Sequence, residues 1–259
     1  MRFIQLKSFT MAEVLITLGI IGIVAAMTLP GLIGNYKRKV LETQFKKSVS
    51  TISQAIIRTK LQLGSDNFVK DCTEYNSEDG YYLVAPCFNA FFKSFSGLAD
   101  KELTFDSTRY EITRFQETIK TYNGKQIADD TSLAGIGWPV YRTNLMADGT
   151  FINMMVIEYR FYIGVDTNGY RGPNQLGHDI FIFNIDETNN TLSYYRAPKV
   201  YTDEELDQEE YDEAYKRERK GDPCNFTSNQ KANGIGCAWY ALRDECPDGS
   251  GRGYFECLP

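Results

Sequence analysis

The sequence predicts an α+β fold, in which a long N-terminal helix packs on an antiparallel β-sheet and a disulfide-rich region ends the chain. Three observations lead to this prediction. An apolar N-terminal segment continues into an amphipathic helical pattern, β-rich segments follow near the middle, and four of the six cysteines lie in residues 224–257. The chain has 259 residues, which is enough for one or two domains with a substantial core.

Composition narrows the classes of function. The hydrophobic fraction of 42% and the aromatic fraction of 14% argue against a disordered chain. The net charge of -6 argues against nucleic acid as a default partner. A single histidine, His178, disfavours imidazole chemistry, and we expect it to be a surface or loop residue. Because no motif of an enzymatic nucleophile, zinc protease or phosphate-binding loop is present, we expect no catalytic residues.

The first element is an apolar segment, residues 14–33, which has the length of a membrane-spanning helix. It could be a cleaved secretory signal, a permanent anchor, or an export signal retained in the mature protein. The carboxylate of Glu13 argues against the first, because it stands where the apolar core of a signal peptide begins. Basic residues flank both ends of the segment, so they do not fix its orientation: Arg2, Lys7, Lys37, Arg38 and Lys39.

The stretch KSFTMAEVLITLGIIGIVAAMTLPGLIGNYKRK resembles the N-terminus of type IV pilins and type II secretion pseudopilins. A short basic leader precedes Phe9 and Thr10, Glu13 lies four residues after Phe9, and Pro30 interrupts the apolar helix. The resemblance covers roughly the first 60 residues. One departure is that Ser8 stands where the family usually has glycine.

The resemblance implies cleavage between Ser8 and Phe9 by a prepilin peptidase, followed by N-methylation of Phe9. It implies a single-pass protein of the cytoplasmic membrane whose extracytoplasmic domain later enters a periplasmic or cell-surface filament. The implied partners are other pilin or pseudopilin subunits, in a homo- or hetero-filament, and the assembly platform. Glu13 would neutralise the Phe9 ammonium of a neighbouring subunit. The alternative is an interfacial acid that reaches the headgroups without a partner.

The resemblance and the sequence pattern together divide the chain into a leader (residues 1–8), an apolar half-helix (9–36), an amphipathic half-helix (37–63) and a globular pilin-like domain (64–259). Apolar residues on one face define the second half-helix: Leu41, Phe45, Val49, Ile52 and Ile56. Gly64 marks its end. At Pro30, which the resemblance makes an assembly residue, we expect local unwinding or a kink.

The globular domain begins with an irregular region, residues 66–103, in which residues 89–98 suggest a short helix rich in Phe. Three segments then predict strands joined as a meander: residues 150–157, 159–165 and 180–185. Residues 202–220 predict a charged surface helix, inserted late in the domain, because Thr202 and Glu205 form a capping-box pattern. Near the C-terminus, residues 239–242 suggest a core strand.

The six cysteines favour disulfides because the N-terminal segment indicates an oxidising compartment and the chain contains no CxxC pair. Sequence-near pairing gives three bridges: Cys72–Cys87, Cys224–Cys237 and Cys246–Cys257. The sequence alone leaves the connectivity open. A zinc site or reduced, buried thiols are the alternatives.

The loop DTNGYRGPNQLGHD offers Asp166, Asn168 and Asp179 as oxygen ligands for calcium. Some pseudopilins hold calcium in a loop near this part of the fold. The calcium-loop pattern fails after Asn168, however, so a loop stabilised by Asx turns, with no cofactor, is the alternative. The sequence thus predicts a major, minor or pseudopilin-type subunit, and its size favours a minor one. The rival class is a membrane-anchored extracytoplasmic hydrolase or ligand-binding protein.

Overall fold

The fold was analysed in a computed structural model, which describes residues 10–72, 75–76, 81–82, 90–95, 119–125, 143–157, 160–186, 188–195, 224–229 and 233–258. Several predicted features lie outside these residues: the cleavage site at Ser8 and Phe9, Cys87, and the charged helix at residues 202–220. The chain separates into two compact units, residues 1–40 and 41–259.

The first element is the helix α1, Met11–Leu63, which contains the boundary between the two units. It includes Pro30 and is helical without interruption, so the unwinding expected there is absent. In the first unit its large apolar side chains are exposed, as expected for a surface that meets lipid. One 18-residue window of α1 is long and apolar enough to cross a membrane, and none of it is buried.

The second half of α1 buries the predicted apolar face. Phe45, Ile52 and Ile56 are buried, while Leu41 and Val49 are partly buried against the same core. The helix ends at Leu63 as predicted, because Gly64 adopts a positive φ of 63°. Ser65 N donates to Lys60 O at 3.0 Å across this turn, the bond that satisfies a terminal carbonyl in a Schellman motif.

The sheet is an antiparallel meander of five strands in sequence order, which confirms the predicted arrangement. The strands are β3 (Thr143–Leu145), β4 (Phe151–Ile157), β5 (Arg160–Asp166), β6 (Ile180–Ile185) and β7 (Leu192–Tyr194). A separate pair, β1 (Tyr75–Asn76) and β2 (Tyr81–Tyr82), precedes it. The three predicted strands match β4, β5 and β6 closely, whereas the short edge strands β3 and β7 were not predicted.

Both faces of the sheet are covered, so its strands are buried on two sides. On one face Phe181 and Phe183 pack against the helix, and the ring centroids of Phe45 and Phe181 lie 4.6 Å apart. On the other face Ile180 and Ile182 form a smaller cluster with Ile119, Leu176 and Ile235. The α1 helix therefore packs on an antiparallel sheet, in agreement with the predicted α+β layout.

Short helical elements complete this core. The helix α2, Phe68–Cys72, contacts β5 and begins where Phe68 N donates to Asn190 Oδ1 at 2.7 Å. Residues 90–93 form a helical turn inside the predicted Phe-rich segment, and Phe91 and Phe92 are fully buried there. These aromatic side chains extend the main hydrophobic cluster.

The C-terminal region contains a helix where the sequence suggested a strand. Residues 239–242 belong to α3, Cys237–Arg243, which lies against β6 and β7. A short apolar run fits a strand or a helix equally well, and here Ala238 and Ala241, three residues apart, share the buried helical face. The predicted strand is therefore wrong.

Two of the predicted disulfides are present. Cys224 pairs with Cys237, with Cα atoms 4.9 Å apart, and Cys246 pairs with Cys257 at 6.0 Å. Cys72 is also disulfide-bonded. Free thiols are absent and the four C-terminal cysteines bond to one another, so the described part of the chain favours neither the zinc nor the reduced-thiol alternative.

Candidate functional site

The carboxylate of Glu13 is engaged within its own chain. Glu13 Oε2 accepts hydrogen bonds from Thr10 N and Thr10 Oγ1, each at 2.8 Å, and Glu13 N donates to Thr10 Oγ1 at 3.2 Å. These reciprocal bonds form a capping box, which satisfies two groups at the helix N-terminus. The sequence T-M-A-E carries this signal, which neither of the roles expected for Glu13, a partner for another subunit or an acid at the headgroups, includes.

The capping box leaves one carboxylate oxygen available. Both bonds to the Glu13 side chain fall on Oε2, and Oε1 has no hydrogen bond within the described residues. Since Thr10 follows the expected Ser8–Phe9 junction, cleavage there would leave every atom of the capping box in place. Glu13 can therefore cap its own helix and still present an oxygen to an ammonium group.

The polar groups inside the apolar half of α1 are satisfied locally. Thr17 Oγ1 donates to Glu13 O at 2.9 Å, and Thr28 Oγ1 donates to Val24 O at 3.0 Å. Pro30 has no N–H, so the carbonyl of Ala26 receives no helical bond from it. Elsewhere the continuous helix pairs the interior backbone groups of the segment within the segment itself, which is the requirement for a helix in lipid.

A second site is formed by the two aspartates of the loop that joins β5 to β6, here called the acidic loop (residues 166–179). Asp166 and Ile180 are register partners in the sheet, which brings the start and the end of the loop together. Asp166 Oδ1 accepts bonds from Asn168 N at 3.0 Å and Gly169 N at 2.6 Å. Asp179 accepts bonds from the backbone amides of residues 174 and 175, at 2.8 and 2.7 Å.

Burial gives these two aspartates unusual electrostatics. Both are 0% exposed. Burial raises the pKa of Asp179 to about 6. Burial and the neighbouring Asp179 charge raise the pKa of Asp166 well above its usual range. Asn168 N bonds Asp166, and the Asp179 charge acts on Asp166, so the three predicted calcium ligands come together in one buried site.

The free oxygens of this site fit a hard cation. Asp166 Oδ2 and Asn168 Oδ1 are buried and make no hydrogen bond in the described part of the chain. Calcium prefers carboxylate and amide oxygens, and a divalent ion would offset two buried negative charges. Asp166 and Asn168 would supply these oxygens, and Asp179 would supply the second charge. The Asx turn expected as the alternative is present as well, at Asp166 Oδ1.

His178 lies in the loop, one of the two places expected for it, but it is buried rather than on the surface. It is 6% exposed, its Nε2 lies 3.1 Å from Tyr122 O, and burial lowers its pKa to about 4. The ring is therefore neutral at pH 7 and acts in packing. Sequence reasoning missed this role because Tyr122 lies 56 residues away in the chain.

The C-terminal region supports the acidic loop from behind. Tyr254 OH donates to Gly177 O at 2.6 Å, and both groups are buried. Gly177 has a φ of 77°, and a Cβ there would lie 2.7 Å from Cys237 Sγ and from the Tyr122 ring. Only glycine fits this close approach, which joins the loop to the Cys224–Cys237 disulfide.

A groove of about 280 Å³ runs beside the second half of α1. Its polar lining includes Lys47 and Arg58 from the helix, with Ser94 and Asp148 opposite. Lys47 Nζ and Asp148 Oδ2 form an ion pair at 2.6 Å. The buried acids Asp166 and Asp179 do not line this groove. Its acid, Asp148, is partly buried, which alone would raise its pKa, but the bonds from Lys47 and Thr150 outweigh burial and lower the pKa, the opposite of what a general acid needs.

Comparisons of the chain with protein-family models, with curated proteins and with solved structures found no match. The N-terminal segment and the two sites described above therefore carry the information on function.

Proposed function

We propose that this chain is a prepilin-like subunit of a type IV pilus or of a type II secretion pseudopilus. The exposed apolar first half of α1, which begins at a single carboxylate, carries this proposal. Such a surface is stable only against lipid or against other apolar helices, and a filament of packed α1 helices supplies the second environment. The second half of α1 packs on a sheet in the globular unit, a layout that is consistent with a pilin-like domain.

In this proposal Glu13 has two functions. Oε2 caps the helix of its own subunit, and Oε1 receives the Phe9 ammonium of a neighbour. An unpaired carboxylate in an apolar environment costs a few kcal/mol, so the subunit gains stability when the ammonium arrives. Assembly in the correct axial register is thereby favoured over other arrangements.

N-terminal processing tests the proposal directly. The chain would be coexpressed with a prepilin peptidase, and the mature protein would be analysed by N-terminal sequencing and mass spectrometry. We expect a start at Phe9 with one added methyl group. An inactive peptidase is the control, and Ser8→Gly should raise the processed fraction. A start after Ala26 would contradict the proposal and establish an ordinary secretory signal.

We further propose that the acidic loop holds a structural calcium ion in this domain. The free, buried oxygens of Asp166 and Asn168 favour this second role. When bound, calcium would supply positive charge between the aspartates, and the chain would position it through the backbone bonds that already fix both carboxylates. Thermal unfolding with calcium, with magnesium and with a chelator tests this role, and equal melting temperatures would contradict it.

A further inference from the structure

Four consecutive residues end the apolar half of α1: Tyr36, Lys37, Arg38 and Lys39. They are called the interfacial segment here. Tyr36 is 69% exposed, and Lys37 and Lys39 are exposed as well. Successive residues of a helix are rotated by about 100°, so three consecutive cations spread over about 200° of the helix surface rather than lining one narrow face. All four residues belong to the first compact unit.

The position of this segment along the helix matches the headgroup layer of a bilayer. Residues 14–33 span about 30 Å at 1.5 Å per residue, which equals the thickness of the hydrocarbon core. Tyr36 then lies about 4.5 Å beyond Ile33, and Lys39 about 9 Å beyond it. Since each headgroup layer is about 5–8 Å thick, the segment lies at the level of the lipid phosphates.

Two cations of this segment, Lys37 and Arg38, make no ion pair within the described residues. Glu13 lies about 36 Å away at the other end of the span, and Glu42, which follows the segment, pairs with Lys46. Arg38 Nη1 donates to the neutral Asn35 Oδ1 at 3.4 Å. Lys39 already takes part in another interaction, so the inference depends first on Lys37 and Arg38.

Tyr36 is an independent observation that points to the same ligand. Tyrosine is enriched at membrane interfaces because its ring is apolar and its hydroxyl is polar. A soluble anion would not require an exposed aromatic ring immediately before the cations. An anionic glycerophospholipid would contact both, with its phosphate on the cations and its glycerol region beside the ring.

We propose that the interfacial segment binds the phosphates of anionic glycerophospholipids and thereby fixes the depth of α1 in the membrane before assembly. Each basic residue near an anionic surface strengthens binding about fivefold, so Lys37 and Arg38 together contribute about 25-fold. The inference depends on the membrane insertion that the proposed function includes, but not on filament assembly. Beyond the proposed function, the inference names a class of lipid, the anionic glycerophospholipids, that favours the membrane-bound state of the subunit.

Lipid selectivity of the full-length chain tests this inference. The protein would be reconstituted in equal mixtures of phosphatidylglycerol and phosphatidylcholine, extracted in mild detergent, and analysed for retained lipid by native mass spectrometry. We expect phosphatidylglycerol to exceed phosphatidylcholine at least tenfold. The variant Lys37→Gln/Arg38→Gln/Lys39→Gln should abolish this preference, and Lys37→Arg/Lys39→Arg should keep it.

A matched control removes the same charge elsewhere. Lys60→Gln/Lys93→Gln/Lys125→Gln changes three cations of the second unit and should leave the lipid preference unchanged. Peptide mapping of the Cys224–Cys237 and Cys246–Cys257 disulfides confirms that each variant is folded. Equal lipid preference in the two triple variants would overturn the inference. Competition by soluble glycerol phosphate at matched concentration would also overturn it, because it would indicate a site for free phosphate.

N-terminal sequencing of the same samples separates this inference from the proposed function. A chain that starts at Phe9 but shows no lipid preference would refute the inference and leave the proposed function intact. In the opposite case the chain keeps Met1 in the presence of an active peptidase, but the lipid preference is lost in Lys37→Gln/Arg38→Gln/Lys39→Gln. That result would refute the proposed function and leave the inference intact.

Discussion

Replacing Asp166 by Asn should stabilise the calcium-free protein at neutral pH. Asp166 Oδ1 accepts both backbone bonds of its turn, and the amide oxygen of Asn can keep them. The other oxygen, Oδ2, has no hydrogen bond in the described residues and lies in a site that also holds Asp179. The substitution therefore removes a buried charge and a like-charge repulsion without removing a known contact.

The expected size follows from the pKa of Asp179. Burial raises it from 3.8 to about 6, so ionising this one buried acid opposes folding by about 3 kcal/mol above pH 6. Asp166→Asn removes one of the two buried acids, and recovering part of a penalty of the size seen at Asp179 should stabilise the protein by about 1–2 kcal/mol. For a domain of this size the melting temperature should rise by about 2–8 °C.

The pH dependence has a definite sign. A carboxyl whose folded pKa lies above its unfolded value loses stabilising free energy as pH rises through the folded pKa, here between about 4 and 6 for Asp179. His178 acts oppositely, because its lowered pKa makes acid destabilising between about 6.5 and 4. Comparing Asp166→Asn with the parent protein at each pH cancels the His178 contribution. The stabilisation by the variant should disappear below about pH 4.

Thermal unfolding in chelator, at pH 7.5 and pH 4, measures this difference. Asn168→Ala is the control for a side-chain loss without a charge loss: it also removes the bond from Asn168 Nδ2 to Gly172 O, so it should not stabilise the protein at either pH. Calcium should stabilise the parent protein and should have little effect on Asp166→Asn. If Asp166→Asn destabilised the calcium-free protein equally at both pH values, Oδ2 would have to make a stabilising bond, and the charge argument would be refuted.

Three further predictions concern the start of α1, the Cys224–Cys237 disulfide and the acidic loop. Glu13→Gln should keep the capping box and abolish filament incorporation. Thr10→Ala should instead lower helix stability by about 1 kcal/mol and allow incorporation. Pull-down of tagged subunits measures incorporation, and circular dichroism measures helix stability. Cys224→Ser/Cys237→Ser should destabilise the domain by about 3 kcal/mol, measured by urea unfolding, because the disulfide closes a loop over 13 positions; an unchanged midpoint would contradict this. Gly177→Ala should lower the melting temperature by several degrees, since its Cβ would meet Cys237 Sγ, and a neutral effect would mean that the loop can shift.

The elements with strong periodicity could be predicted from the sequence. The apolar face of α1 and the strands β4 to β6 each repeat a pattern over several turns or pleats, and the structure contains them within one or two residues of the predicted ends. Gly64 also ended α1 as predicted, because its positive φ is a local property. The pairing of the four C-terminal cysteines matched the predicted pairing of sequence neighbours in chain order.

The remaining features depend on contacts that are distant in sequence. Edge strand β7 is short, and residues 239–242 carry an apolar run too brief to reveal its period. The burial of His178 depends on Tyr122, and the glycine requirement at residue 177 depends on Cys237. For the acidic loop, sequence named the oxygen ligands but could not show which oxygens stay free once the backbone amides have bonded.

The bond between Tyr254 and Gly177 has a consequence for the order in which the domain folds. Synthesis delivers the strands β5 and β6 well before the residues that lie behind the acidic loop. Until residues 224–257 are present and their disulfides form, the loop lacks the Tyr254 hydroxyl and the Cys237 sulfur that close its inner side. The complete burial of the acidic loop therefore follows the formation of the C-terminal region and is among the last steps of folding.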